Sequence, residues 1–150
     1  WQIGVPGETK AVVVAADPVD GGAVVGGSTT GDLAAENQNE LTDAWLARYS
    51  RGGELEWAVQ FGTASVDSVT GAVVASDQRV FVTGTTGGGL GVESTPDLDV
   101  FVACFNVTGD LQWLSQFGNS SDAGIQRATG LAMALGEDAV LVAGQTDGNF

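Results

Sequence analysis

Short apolar runs separated by turn residues fill the chain, and in residues 71–117 four of them follow in order. GAVVAS (71–76) is small and apolar, and RVFVTG (79–84) is β-branched and aromatic. DVFVACF (99–105) and LQWLSQF (111–117) alternate along their length. Runs of this length and composition, bounded by Gly, Asp, Ser and Thr, read as strands joined by turns. A period of two places Phe101, Ala103 and Phe105 on one face, with Val100, Val102 and Cys104 on the other. The D-Q link between Ser76 and Arg79 and the FNVTGDL turn suit tight hairpins, whereas TGGGLGVESTPDL (86–98) is a longer connection across one face. No window sustains an apolar face at helical spacing for three turns, so helix is expected to be minor.

The pattern then repeats. DAWLARYSRGGELEWAVQFG (43–62) aligns without a gap on DVFVACFNVTGDLQWLSQFG (99–118), pairing Asp43 with Asp99, Trp45 with Phe101, Tyr49 with Phe105, Gly53 with Gly109 and Trp57 with Trp113. Upstream, AVVGGSTTG (23–31), VFVTGTTGG (80–88) and AVLVAGQTDG (139–148) form three copies, so Gly27, Gly84 and Gly144 recur. A clipped echo of the WxxQFG phrase, WQIG, opens the chain. A period near 56 residues implies one supersecondary unit stacked side by side, because no unit buries its apolar face alone.

Four strands per period predict an all-β fold, a beta-propeller segment of four-stranded antiparallel blades, with about two complete blades plus partial ones. Residues 1–7 are then the tail of a preceding blade, 8–62 and 63–118 are blades, and 119–150 are the first half of a further blade. The Ala/Val-rich first strand suits the crowded inner ring around a propeller axis. Inserts at DPVDGG (17–22) and GIQR (124–127) are both expected in turns. In QFG, the phenylalanine is expected to pack between blades, and the glycine to let the backbone turn inward through open φ/ψ space. The tryptophans Trp57 and Trp113 fit a core position better than a sugar-stacking platform, because they recur within a period-two pattern.

The succession of a D-x-[FW]-[LV]-A strand, a glycine turn, L-x-W-x-x-QFG, a small-residue strand and V-x-V-x-G-x-T resembles the SBBP-type beta-propeller repeat of bacteria and protists. That resemblance covers almost the whole chain. It implies repetitive extracellular or cell-surface proteins whose propellers act as scaffolds or adhesive modules, and it carries no catalytic residue to transfer.

Composition narrows the partners. The chain is 43% hydrophobic and 16% charged, too apolar for disorder. Nineteen acids against five bases and no histidine give a formal charge of −14. Such a surface repels phosphate backbones and anionic lipid headgroups, so nucleic acid is not an expected ligand. The acids are dispersed and read as a solvated surface. No apolar run approaches the roughly 20 residues of a membrane span, and no membrane insertion is expected. Absence of histidine removes the serine-histidine triad, the imidazole base and the common zinc ligand sets.

Asp97 with Asp99 and Glu137 with Asp138 are close in sequence, but they read as turn and strand-edge residues rather than acid/base pairs. Gly87-Gly88-Gly89 lacks the lysine and helix of a phosphate loop. DLAAENQNELTD (32–43) is rich in oxygen donors without D-x-D-x-D spacing, leaving calcium as the one cofactor the sequence keeps open. No catalytic, cofactor-binding or metal-ligating residue is assigned, and Asp67, Asp97 and Asp122 are expected to be individually dispensable for any activity. Cys104, the only cysteine, stands where the preceding copy has Arg48; it reads as a small buried hydrophobe, with an exposed thiol bonded to another chain as the other option.

Asn106-Val107-Thr108 and Asn119-Ser120-Ser121 are glycosylation sequons, and Asn106 and Asn119 are the candidate glycan sites. The chain begins at Trp1 without an initiator methionine or signal-like stretch, so processing or trimming is expected upstream. Together these readings predict a noncatalytic, secreted structural or adhesive glycoprotein module. Its partners are other protein chains, or missing blades of the same chain, and surface glycans; a carbohydrate-binding, lectin-like propeller is the alternative.

Overall fold

A computed structural model describes residues 6–37, 41–91, 98–118, 126–133 and 139–146, with the backbone alone at 126–133 and 146. Ten strands follow in order: β1 Thr9–Ala16, β2 Ala23–Thr29, β3 Asp43–Tyr49, β4 Leu55–Phe61, β5 Asp67–Val74, β6 Val80–Thr86, β7 Asp99–Phe105, β8 Leu111–Phe117, β9 Gln126–Met133 and β10 Val140–Thr146. No helix occurs among the described residues. The strands form two four-stranded antiparallel sheets, β1-β2-β3-β4 and β5-β6-β7-β8, and a two-stranded sheet, β10-β9.

The alternating segments fall where the sequence places them. β7 and β8 match the expected 99–105 and 111–117. The first strand of the second sheet does not: it spans Asp67–Val74 rather than 71–76, because a bulge at Thr70 breaks the period-two pattern. The same bulge recurs in each sheet. Ala11 and Val13 flank it opposite Gly27 and Gly26, Val69 and Gly71 opposite Gly84 and Thr83, and Ala128 and Gly130 opposite Gly144 and Ala143. A Cβ at Gly27 would overlap the Lys10 carbonyl oxygen, and one at Gly84 would overlap that of Ser68. The recurring glycine therefore answers to the backbone pressed against it by the bulge. A second bulge, at Glu56 and Gln112, repeats between the third and fourth strands.

The insert DPVDGG forms the β1–β2 turn as expected. GIQR does not lie wholly in a turn, since Gln126 and Arg127 begin β9; residues 124–125 lie outside the described residues.

The sheets pack by unlike faces. The forward face of the first sheet carries Val24, Ala44 and Leu46. It meets the back face of the second, where Val69, Val80, Val82, Phe101, Ala103 and Phe105 project, in the main core. The second sheet's forward face, with Ala75, Phe81 and Cys104, takes Val140 of the third. The first sheet's back face buries Trp45, Ala47 and Tyr49 in a further cluster. β5 lies against β1, β2 and β3, and β9 lies against β5, β6 and β7. β3 and β7, with apolar residues on both faces, are buried almost throughout. Phe101 alone, fully buried, contributes roughly 2–3 kcal/mol by leaving water.

We predict that Gly84→Ala destabilises the fold by about 3 kcal/mol, the upper end of what overpacking costs, since backbone must shift. Gly52→Ala, whose Cβ would lie 3.6 Å from Ser50 Oγ, changes stability by less than about 0.5 kcal/mol. Equal denaturation midpoints for the two variants would contradict the bulge geometry.

Candidate functional site

The residues that recur in the repeat are internal fasteners. Gln60 on β4 donates from Nε2 to Asp43 Oδ2 (2.9 Å) and to the Gly31 carbonyl (3.1 Å). Its Oε1 accepts from the Leu33 and Ala34 amides. Gln116 on β8 does the same one sheet later, donating to Asp99 Oδ2 (2.7 Å) and Gly88 O (3.0 Å) and accepting from the Leu90 amide (2.9 Å). Thr29 and Thr86 accept from the amides of Gly31 and Gly88. The connection leaving the second strand is thus tied to the third and fourth strands of its own sheet. The sequence assigned none of this to glutamine, although Asp43 to Gln60 and Asp99 to Gln116 share one spacing.

The glycine of QFG requires a correction. Gly62 and Gly118 do not occupy the positive-φ region. A Cβ on Gly62 would sit 2.5 Å from Asp43 Oδ1 and 2.9 Å from Asp67 Oδ2, and one on Gly118 would overlap the Asp99 carboxylate. The glycine makes room for buried carboxylates. Nor are the acids only a solvated surface: Asp17, Asp43, Asp67 and Asp99 are all buried.

Asp67 stands where the sheets join. Its amide donates to the Thr42 carbonyl (2.7 Å), and its Oδ2 accepts from the Thr63 amide (2.7 Å) and hydroxyl (3.0 Å). Burial pushes its carboxyl above the usual carboxylate range, and the neighbouring Asp43 charge adds to this, while bonds from Thr86 and Thr63 oppose it.

A second fastener breaks the repeat. Arg48, 1% exposed, points forward from β3 and donates to Asp17 (2.5 Å), Asp20 (2.8 Å) and Glu56 (2.8 Å). Gln78, at φ 63° in the β5–β6 turn, donates to Asp17 and Asp20, so the network crosses from one sheet to the next. Burial pulls the guanidinium down, but the bonds to Asp20 and Glu56 outweigh it and keep the group charged. Such a pair is costly to break, about 3–5 kcal/mol, because one partner is left buried and charged. Cys104, at the equivalent position, is a buried free thiol raised above its ordinary value by burial.

The outer half of the junction is apolar. Phe61 packs edge-on to Phe101 (5.6 Å) and against Phe105 (5.7 Å), as expected for a phenylalanine between sheets. Trp57 donates its indole N–H to the Val107 carbonyl (2.9 Å) and lies on Gly109. Beside them a cleft of about 630 Å³ is lined by Val59, Phe61, Leu90, Phe105 and Leu114, with Asp110 at its edge. Bonds from Thr108 and Asn106 hold the Asp110 carboxyl below its usual range. The second copy differs: Trp113 and Phe117 are 43% and 55% exposed, not core.

Asn106 sits at the β7–β8 hairpin tip as expected, and its side chain bonds within the exposed turn, accepting from the Thr108 and Asp110 amides and donating to Asp110. Asn119, Asp97, Asp122, Glu137 and Asp138 lie outside the described residues. In the oxygen-rich connection 32–43, Asn37 bonds to Asp32 and to the Leu41 carbonyl. No group of three acidic or thiol side chains is placed to hold a metal among the described residues. No helix among them is long and apolar enough to cross a membrane.

Compared with known proteins, the chain matches no family model and no curated sequence.

Asp67 yields a prediction with a definite sign. A folded value raised above the ordinary 3.8 contributes stability that is complete below 3.8 and is lost as pH rises through the folded value. Asp67→Asn keeps an acceptor for Thr63 and removes the charge, so the stability difference, variant minus parent, should grow as pH rises through that window. A difference that is flat or falls with pH in denaturant titrations would contradict the buried, ionisable Asp67.

Proposed function

We propose that the chain is a noncatalytic extracellular structural or adhesive module, a segment of an SBBP-type beta-propeller built of four-stranded antiparallel blades, mediating protein–protein or surface assembly. The observation that carries the reading is the stacking by unlike faces, forward on back, repeated from the first sheet to the second and from the second to the third. A contact between unlike faces does not satisfy itself as a twofold contact does; it propagates until a ring closes or a filament forms. Convergence of β1, β5 and β9, the first strand of each sheet, favours the ring.

The fate of the recurring polar groups supports a structural role. Gln60, Gln116, Asp43, Asp99, Thr29 and Thr86 are all engaged in hydrogen bonds that hold their own sheets together. The cleft beside Phe61 is lined mostly by apolar side chains, and its one carboxylate, Asp110, is bonded to Thr108 and Asn106 of its own turn. Extracellular placement rests on the sequons and on the family resemblance. One observation favours the lectin alternative: Trp113 presents an exposed indole on a sheet face, as sugar-stacking platforms do.

Electron microscopy of the native protein should show discs with a central channel, and a glycan array should show no saturable signal. Extended rods would contradict the ring, and saturable sugar binding lost in Trp113→Ala would establish the lectin in its place.

A further inference from the structure

The junction between the two four-stranded sheets is packed at its inner strands and open at its outer ones. β5 lies against β1, β2 and β3, whereas between β4 and β8 the sheets part and leave the cleft of about 630 Å³. Val59 and Phe61, on the first sheet's forward face, form one wall, and Phe105 and Leu114, on the second sheet's back face, form the other. Leu90 completes the lining.

These walls are held in place by bonds of their own. The Leu90 amide donates to Gln116 Oε1 (2.9 Å), and the Trp57 indole N–H donates to the Val107 carbonyl (2.9 Å), which ties the β7–β8 turn to β4. Gly109, at φ 85°, leaves room for that indole. The cleft is therefore pre-formed and mostly apolar, and its volume falls within the roughly 300–1,000 Å³ of sites that take small organic molecules.

Its charge is one-sided. Asp110 stands at the edge beside the exposed Leu111, and none of the chain's five basic residues lines the cleft. Thr108 Oγ1 and Asn106 Nδ2 both donate to Asp110 Oδ2, at 2.7 and 3.0 Å, which leaves Oδ1 without a partner among the described residues. Asp110 itself is exposed, so a cation beside it keeps its water and only an uncharged tail has to enter the cleft.

From this we infer that the cleft is a binding site for an organic cation, with an ammonium head beside Asp110 and an aliphatic or aromatic tail between Val59, Phe61, Phe105 and Leu114. Burial of the tail supplies most of the affinity, and Asp110, within a chain of net charge −14, selects the sign of the head. An anion with the same tail sets its carboxylate against Asp110 and binds less well. The site lies wholly within the junction of the two four-stranded sheets and rests on neither ring closure nor a further repeat.

The test uses the intact chain and two probes with the same alkyl tail, octyltrimethylammonium and octanoate. Binding is followed by calorimetry and by the methyl resonances of Val59, Leu90 and Leu114. The cation should bind saturably, shift those resonances and bind about tenfold more tightly than octanoate. Asp110→Asn, which keeps an acceptor for Thr108, should weaken the cation by about threefold and strengthen octanoate by about as much. Val59→Phe, which adds a ring to the cleft, should weaken both probes by at least about tenfold. Leu90→Ala, at a half-buried connection residue, should weaken both by about threefold and carries the test if Val59→Phe fails to fold.

The inference would be overturned by a folded chain that does not bind the cation saturably, or that binds octanoate equally well. Binding indifferent to the cleft variants, or shifts that fall on Trp113 and Phe117 instead, would overturn it too. None of these outcomes touches the stacking of the sheets or the noncatalytic reading.

Discussion

A four-stranded sheet with apolar residues on both faces cannot satisfy itself, and everything else in this molecule follows from how it resolves that constraint. Each sheet covers the forward face of the one before with its own back face. The solution needs two surfaces that differ and fit: small and branched residues such as Ala44 and Leu46 on one side, the aromatic pair Phe101 and Phe105 on the other. Because the faces differ, the contact has a direction, and a repeated sequence can supply the same contact again.

That direction explains why the polar residues of the repeat are so consistently employed. A sheet pressed from both sides cannot leave its connections loose, since unpaired buried backbone would cost as much as the packing gains. Gln60 and Gln116 tie the long connection to the sheet edge, and Asp43 and Asp99 anchor those glutamines from the neighbouring strand. The glycines follow as consequences of crowding rather than of unusual torsion: Gly27 and Gly84 yield to the bulge, Gly62 and Gly118 to a carboxylate. Where one junction needs more than packing, Arg48 draws Asp17, Asp20, Glu56 and Gln78 into a single charged knot across it.

Much of this was legible in the residues. Alternation located β7 and β8, and the gapless match of 43–62 on 99–118 carried them to β3 and β4 and anticipated that both copies form four-stranded antiparallel sheets. What alternation could not locate was β5, whose bulge at Thr70 moves the apolar residues out of phase. The roles of Gln60 and Gln116 were missed because attention to a period-two pattern favours the aromatic flanks of WxxQFG over its polar centre. Arg48 was invisible for the opposite reason: it departs from the repeat, and two of its partners, Asp17 and Asp20, come from the β1–β2 turn, far away in sequence. Trp57 and Trp113 look identical in sequence and differ in structure because burial depends on the sheet that follows, not on the strand that carries them.

The claim that the sheets stack forward face on back face is open to direct measurement in solution. Nuclear Overhauser contacts from the Phe61 ring should reach the rings of Phe101 and Phe105, and the Trp57 indole N–H should show contacts to Val107 and Gly109. Contacts from Phe61 to Trp113 or Phe117 instead would mean that forward faces meet each other, and would contradict the account.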